Sequence, residues 1–305
     1  MRVLRDSETN VVYVTDALRR YPAVFDAIGQ ALAAVGVERR ILEGTANVWC
    51  RDWGPIPVGT HYVRFGYKGY GLGYEAYPQL RVPEATLDQL CLTAGIGLGG
   101  TPLRQSDIVL DGGNVVRYDD KILMTEIVYD HNPDWGHKRI RDQLQGLLQA
   151  DIIFIPPEPG DDLGHTDGIV KWIDGKTVFL NDYRVMHDPI YRDYLRRVQG
   201  ILRSHGIESV PFPYAYDRCP DLDEAEFRRR FPDGDAFGAA WGYAINYLQV
   251  KGAILYPTFN DPVDTATEAC LWDAFPGLTL FPIDCSDLSI EGGLVNCVSW
   301  SPCGT

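Results

Sequence analysis

The stretch WGHKRIRDQLQGLLQADIIFIPPEPGDDLGHTDGIVKWIDGKTVFLND, residues 135–182, contains the unit from which the rest of the chain can be read. Its first part, 135–149, carries apolar residues at helical spacing, and DIIFIPP (151–157) reads as a buried strand. HTDGIVKW (165–172) and KTVFLND (176–182) then flank an Asp-Gly pair, a hairpin signal. One helix, one strand and one hairpin make the unit.

Working outward, helical spacing recurs at 17–36, 84–95, 188–206 and 263–276. Strand signals follow each helix in the same order. ERRILEG, VWCRDWGPIPV and HYVRFGY follow the first, DIVLDGGNVVRY and KILMTE the second, and ESVPFPY, YAINYLQV and AILYPTF the fourth. The fifth copy has LTLFPID and GGLVNCVSW but no further strand. NVVYVTD at the N-terminus is left to complete it, which would pair the two ends of the chain. Repeats of roughly 50–70 residues, each with an uncovered apolar face, predict a closed radial array. The expected fold class is α/β: a five-module, pseudo-symmetric propeller forming one domain over 1–305, closed by pairing of the N- and C-terminal strands. An ordinary α/β domain with accidental alternation is the competing expectation. The polar stretch 216–237 reads as an insertion in the fourth module, with a short charged helix.

Composition narrows the partners. The 305 residues carry a formal net charge of -14, and no segment concentrates enough Lys and Arg for a nucleic-acid or anionic-membrane surface. No stretch approaches the ~18 apolar residues of a membrane span, and MRVLRDSETN has no apolar leader core. The seven cysteines (50, 91, 219, 270, 285, 297 and 303) are odd in number, widely spaced and without a C-x-x-C pair. Free thiols in a reducing cytoplasm are therefore expected.

In a radial array, the residues on equivalent inner strands converge on the axis, where ligands bind. The first module presents Arg51 and Asp52, the second Asp111 and Asn114, the third His165 and Asp167, the fourth Asn246, and the fifth Glu291 and Cys297. His165 and Asp167, two apart, would share a strand face. Spacing leaves Asp167 open as a partner of His165, a metal ligand or a substrate anchor. The Gly-Gly pairs of LDGGNVV and IEGGLVN read as tight turns with positive φ, and a cysteine in VNCVSW is by base rate a small buried apolar residue. Chemistry-bearing residues at equivalent places in one repeat weigh more than any one of them alone.

Taken in order, CRDWGP (50–55), LDGGNV (110–115), GHTDG (164–168), YAIN with ILYPTFND (243–261) and EGGLVNC (291–297) resemble the agmatine deiminase and bacterial (Porphyromonas-type) peptidylarginine deiminase family. That family belongs to the guanidine-modifying pentein superfamily. The resemblance covers nearly the whole chain. It implies cysteine-dependent hydrolysis of a guanidinium to a ureido product and ammonia, with no cofactor and no metal. By position, Cys297 falls where the family has its nucleophile, His165 its acid and base, and Asp52 and Asp167 the guanidinium anchors. Asp111 falls on the acid of a Gly-Gly motif and Asn246 on a polar contact, while Trp53 is a candidate for the substrate tail with Tyr129, Trp172, Trp300 and the acidic loop 221–226. A small cationic guanidino substrate is the expected partner, and homo-oligomerisation is left open.

The residue types suit that chemistry. Two carboxylates can grip the N–H edges of a planar cation, and a thiolate is the strongest side-chain nucleophile for its resonance-stabilised carbon. The chain departs from the family pattern at Asp111, where relatives usually carry Glu, and at Asn296, where agmatine deiminases carry His before the cysteine. It also lacks a Trp-rich opening. The alternatives are an amidinotransferase of the same superfamily, which would pass the intermediate to an amine, and a non-catalytic binding module. A metallohydrolase built on His165, Asp167 and Asp111 is the weakest of the rivals, since only one of six histidines lies in a motif.

Overall fold

A computed structural model describes residues 8–67, 81–97, 99–161, 163–216 and 240–302, with positions 225 and 229. Cys219, Cys303 and nearly all of the 216–237 insertion, including most of the 221–226 loop, lie outside the described residues.

The main helices are Pro22–Ala34, Glu84–Thr93, His137–Leu148, Pro189–Ser204 and Pro262–Ala274. Proline opens three of them, where its missing N–H costs nothing. Asp188 and Asp261 cap two by accepting a bond from the backbone N–H two residues on. The helix expected over 17–36 is divided. Asp16–Arg20 is a 3-10 segment, and Tyr21 leaves helical geometry before Pro22, because a proline ring disfavours the helical conformation of its predecessor.

The strands are β1 (Val11–Thr15), β2 (Glu38–Leu42), β3 (Ile56–Val58), β4 (His61–Gly66), β5 (Leu103–Val109), β6 (Val116–Tyr118) and β7 (Lys121–Thr125). They continue as β8 (Asp151–Ile155), β9 (Val170–Trp172), β10 (Thr177–Asn181), β11 (Glu208–Phe212), β12 (Leu248–Val250), β13 (Ala253–Thr258) and β14 (Thr279–Asp284). They form separate small sheets in the orders β3-β4-β5, β6-β7-β8, β9-β10-β11, β12-β13-β14 and β1-β2. Each three-stranded sheet joins an antiparallel hairpin to one parallel strand reached through a helix. The fifth sheet has only the parallel pair β1-β2, and Tyr13 adds an antiparallel bridge to Trp300. That bridge consists of two backbone bonds, 2.8 and 2.9 Å, joining the chain's ends. Among the described residues no single sheet runs round the molecule.

The expected inner strands prove shorter than their sequences suggested. Cys50–Trp53 is one helical turn, Gly112–Asn114 and Thr166–Gly168 are 3-10 turns, and 295–298 is a turn rather than a strand. These largely buried segments join no strand ladder, and part of their backbone bonding closes within each turn. Asn114 donates to the Asp111 carbonyl, Ile169 to Thr166, Asn246 to Tyr243 and Val298 to Leu294, at 3.0–3.2 Å. Apolar packing ties the chain ends together: Val12, Val14, Phe25 and Leu32 share one core cluster with Leu255, Tyr256, Leu294 and Val298. No helix among the described residues is long and apolar enough to cross a membrane.

Candidate active site

The bends that precede β3, β6, β9 and β12, together with the 295–298 turn, put the expected site residues side by side. Asp52, Asp111, His165, Asp167, Asn246 and Cys297 are all buried. His165 bridges two acids, with Nε2 3.2 Å from Asp111 Oδ2 and Nδ1 3.7 Å from Asp52 Oδ1. The thiol of Cys297 lies 3.9 Å from Asp167 Oδ2 and 3.5 Å from Asn246 Oδ1. The backbone N–H of Gly113 donates to Asp52 Oδ1 at 2.9 Å.

The first Gly-Gly pair earns its place differently from the expectation of positive φ. Neither Gly112 nor Gly113 is left-handed, whereas Gly292 of the second pair is. A Cβ on Gly112 would collide with the Arg51 carbonyl. One on Gly113 would come within 2.7 Å of His165 Nδ1, 2.8 Å of Asp52 Oδ1 and 3.3 Å of Asp167 Oδ1. The missing side chain thus leaves a small hollow where an imidazole and two carboxylates converge.

Charge is unbalanced in this hollow. Among the described residues, Asp52 and Asp111 have His165 as their only cationic partner, and Asp167 has no Lys or Arg partner. Asp111 Oδ1 is buried without a hydrogen-bond partner. Burial is the largest influence on the imidazole and pushes its pKa down, but Asp52, Asp111 and Asp167 outweigh it and raise it above the ordinary histidine value. Burial also raises the Asp52 carboxyl, partly offset by His165 and reinforced by Asp111 and Asp167. The Cys297 thiol is held well above its usual range, by burial first and then by Asp167 and Asp52. Burial and the neighbouring acids therefore favour an imidazolium beside a neutral thiol. Among the described residues, no group of three or more His, Cys, Asp or Glu side chains is arranged to hold a metal ion.

Two of the expected residues take other places. Trp53 does not join the cluster: its indole N–H donates to Asn47 Oδ1 and its ring packs in a core with Leu42, Tyr62 and Trp300. An isolated aromatic in a motif gives no indication of which way it points, and burying its large apolar area with one satisfied N–H decides the matter. Tyr129 likewise stacks in the core against Phe154. Trp172 and Trp300 border a neighbouring cavity. Asn114 acts as a tie, its Oδ1 accepting bonds from Thr125 and Thr166.

Two contributors were not foreseen. Asn296 donates its amide to Asp167 Oδ2 at 2.6 Å, and its own Oδ1 accepts from Arg51 at 3.2 Å. It thereby connects the acid to a cation that does not touch it. The place of Asn296 beside the cysteine was the one available signal. Glu158, in PPEPGDDLG, accepts bonds from the hydroxyls of Tyr183 (2.6 Å), Tyr214 (2.7 Å) and Tyr243 (2.9 Å). The ring of Tyr243 approaches Gly168, next to Asp167.

A cavity of about 440 Å³ adjoins the cluster on one side. Arg51, Gly112, Asp167 and Asn296 line its inner end. Asp52, His165 and Cys297, each 8% exposed, are not among its lining residues.

The model of the Porphyromonas-type peptidyl-arginine deiminase family matches residues 2–302. An agmatine deiminase of Pseudomonas aeruginosa (strain UCBPP-PA14) is 26% identical over 284 residues, covering 85% of this chain and 76% of that protein. Among solved structures, the agmatine deiminase of Enterococcus faecalis superposes with a TM-score of 0.77 at 16% identity, covering 99% of this chain and 95% of its own. DDAH from Pseudomonas aeruginosa superposes at 0.57 with 11% identity, covering 96% and 99%. At these identities the solved structures establish a shared α/β fold.

Proposed function

The chain belongs to the Porphyromonas-type peptidyl-arginine deiminase family, a family of hydrolases of amidine C–N bonds, and we propose that it hydrolyses the guanidinium of a small arginine-like cation such as agmatine. The products are the ureido compound and ammonia. One observation carries this reading: of three buried carboxylates two share a single imidazole and the third meets only an amide and the thiol, so among the described residues the hollow beside Cys297 is short of positive charge. A guanidinium supplies that charge together with N–H donors that match carboxylate edges.

In this reading Asp52 and Asp167 hold the cation and thereby offset the two charges that keep the Cys297 thiol protonated. With the substrate in place the thiol releases its proton to solvent, and the thiolate attacks the central carbon, making an S–C bond. His165, charged at rest, gives its proton to the departing nitrogen, the C–N bond breaks and ammonia leaves. An S-alkylthiouronium remains on Cys297. Neutral His165 then takes a proton from water, whose oxygen attacks the same carbon; the C–S bond breaks, the proton of the new hydroxyl passes to the departing sulfur, and the ureido product leaves with the Cys297 thiol restored. Asp111 holds His165 through Nε2, and Asn246 holds the thiol.

The same reading takes the five small sheets as modules of one pseudo-symmetric catalytic domain, of pentein type, working in the cytoplasm. The experiment is a panel of agmatine, arginine, peptidyl-arginine and methylguanidine, assayed for ammonia and ureido product without any acceptor amine. We expect the wild type to turn over at least one alkylguanidine and Cys297→Ala to turn over none. Turnover that requires an added amine would favour transfer, and no turnover of any guanidine would refute the reading.

A further inference from the structure

We propose that the cavity behind Asp167 and Asn296 is the route by which water reaches the reaction centre and ammonia leaves it, while the substrate enters from the opposite face. This rests on the hydrolase reading above. In a deiminase the carbon chain of the substrate stays attached after the first step, so it continues to occupy its own way in. Ammonia has to leave, and water has to arrive, past a plugged entrance or by another path.

The cavity fits that second path. Its walls come from β3, β6, β9 and β12 and from Trp300 and Ser301, and these strands run away from the bends that carry the site residues. It extends from Asp167 to Phe275 and the exposed Pro276, and so reaches solvent. A water needs only about 10–15 Å³ of such space, and 440 Å³ holds several.

Charge selects what passes. Arg51, Arg117 and Lys171 line the cavity against the single acid Asp167. This surplus opposes a guanidinium cation and is indifferent to water and to ammonia, which departs neutral after taking the proton of His165. The cluster thus divides the traffic: Asp52, His165 and Cys297 meet the substrate off the cavity wall, and Asp167, which also holds the cation, borders the small-molecule path with Asn296.

The test is the series Gln249→Ala, Gln249→Leu, Gln249→Phe and Gln249→Trp, with Ser301→Trp blocking the lumen from another wall. Gln249 lines the cavity, is half-buried and takes no part in the chemistry. Folding is checked by circular dichroism and melting. With agmatine, we expect kcat to fall as the side chain grows, by about tenfold at Trp, with KM falling in parallel and kcat/KM nearly constant, the signature of a slowed second step. Mass spectrometry of quenched samples should show the Cys297 adduct accumulating in the same order, with Gln249→Ala at the wild-type level. A flat kcat and no adduct across the folded members would overturn the proposal while leaving the hydrolase reading intact. Absence of ammonia release by the wild type would instead count against the hydrolase reading.

Discussion

Two groups of buried acids lie close together in this molecule, and they differ in what their oxygens meet. Glu158 is enclosed by the hydroxyls of Tyr183, Tyr214 and Tyr243. Asp52, Asp111 and Asp167 share one imidazole, one backbone N–H, one amide and a thiol, and one Asp111 oxygen has no partner. Burial raises the pKa of Glu158, to about 7, and of Asp52 alike. A displaced pKa therefore does not separate the two. What separates them is satisfaction: among the described residues the tyrosine cage is complete, whereas the aspartate cluster lacks donors and positive charge, which in the proposed reading a cation supplies. The complete cage also supports the incomplete cluster, because Tyr243 abuts Gly168 and Asn181 bonds both the Gly168 carbonyl and the Tyr183 hydroxyl.

The contrast breaks most visibly at the aspartates. Asp52→Asn and Asp167→Asn should each lower kcat/KM for the best guanidine by about 10²–10³, since a preorganised charge on the reacting group is lost. Their melting temperatures should stay level or rise, because each replacement removes a buried charge without a full set of partners. Loss of stability with unchanged kinetics would mean that these acids are structural, like Glu158.

Glu158→Gln should act the other way round and more weakly. Its amide oxygen still accepts phenol bonds, so kcat should stay within about threefold of wild type. The folded-state pKa of Glu158 lies above the ordinary carboxylate value. Its stabilising effect is thus complete below the unfolded pKa and is lost as pH rises through about 7. Relative to wild type, Glu158→Gln should gain about 1–3 kcal/mol between pH 5 and pH 8 in denaturant titrations. A difference independent of pH would show that the cage stabilises the charged carboxylate after all.

Much of this was legible in the sequence. Helical spacing located all five main helices, and DIIFIPP, KTVFLND and AILYPTF were read as strands because long apolar, β-branched runs have no other economical burial. The site residues were legible as types at equivalent places in a repeat, but their backbone was not. GHTDG and LDGGNV look like strand starts, yet they fold as turns in which Thr166 and Asn114 bond each other and Asn114 also takes bonds from Thr125 at the end of β7. The bond from Arg51 to Asn296 spans 245 residues, and the bonds to Glu158 come from tyrosines 25 to 85 residues away. Such pairs leave no local pattern. Trp53 was legible as an aromatic in a motif, but only packing shows that it faces the core.

The most direct measurement is peptide mapping of the protein quenched in acid during steady turnover of agmatine, beside Cys297→Ser under the same conditions. The account predicts a fraction carrying the substrate less ammonia, located on Cys297 alone, and no turnover by the serine variant. Full-rate turnover by Cys297→Ser, or an adduct on Cys50, Cys91, Cys270 or Cys285 instead, would contradict it.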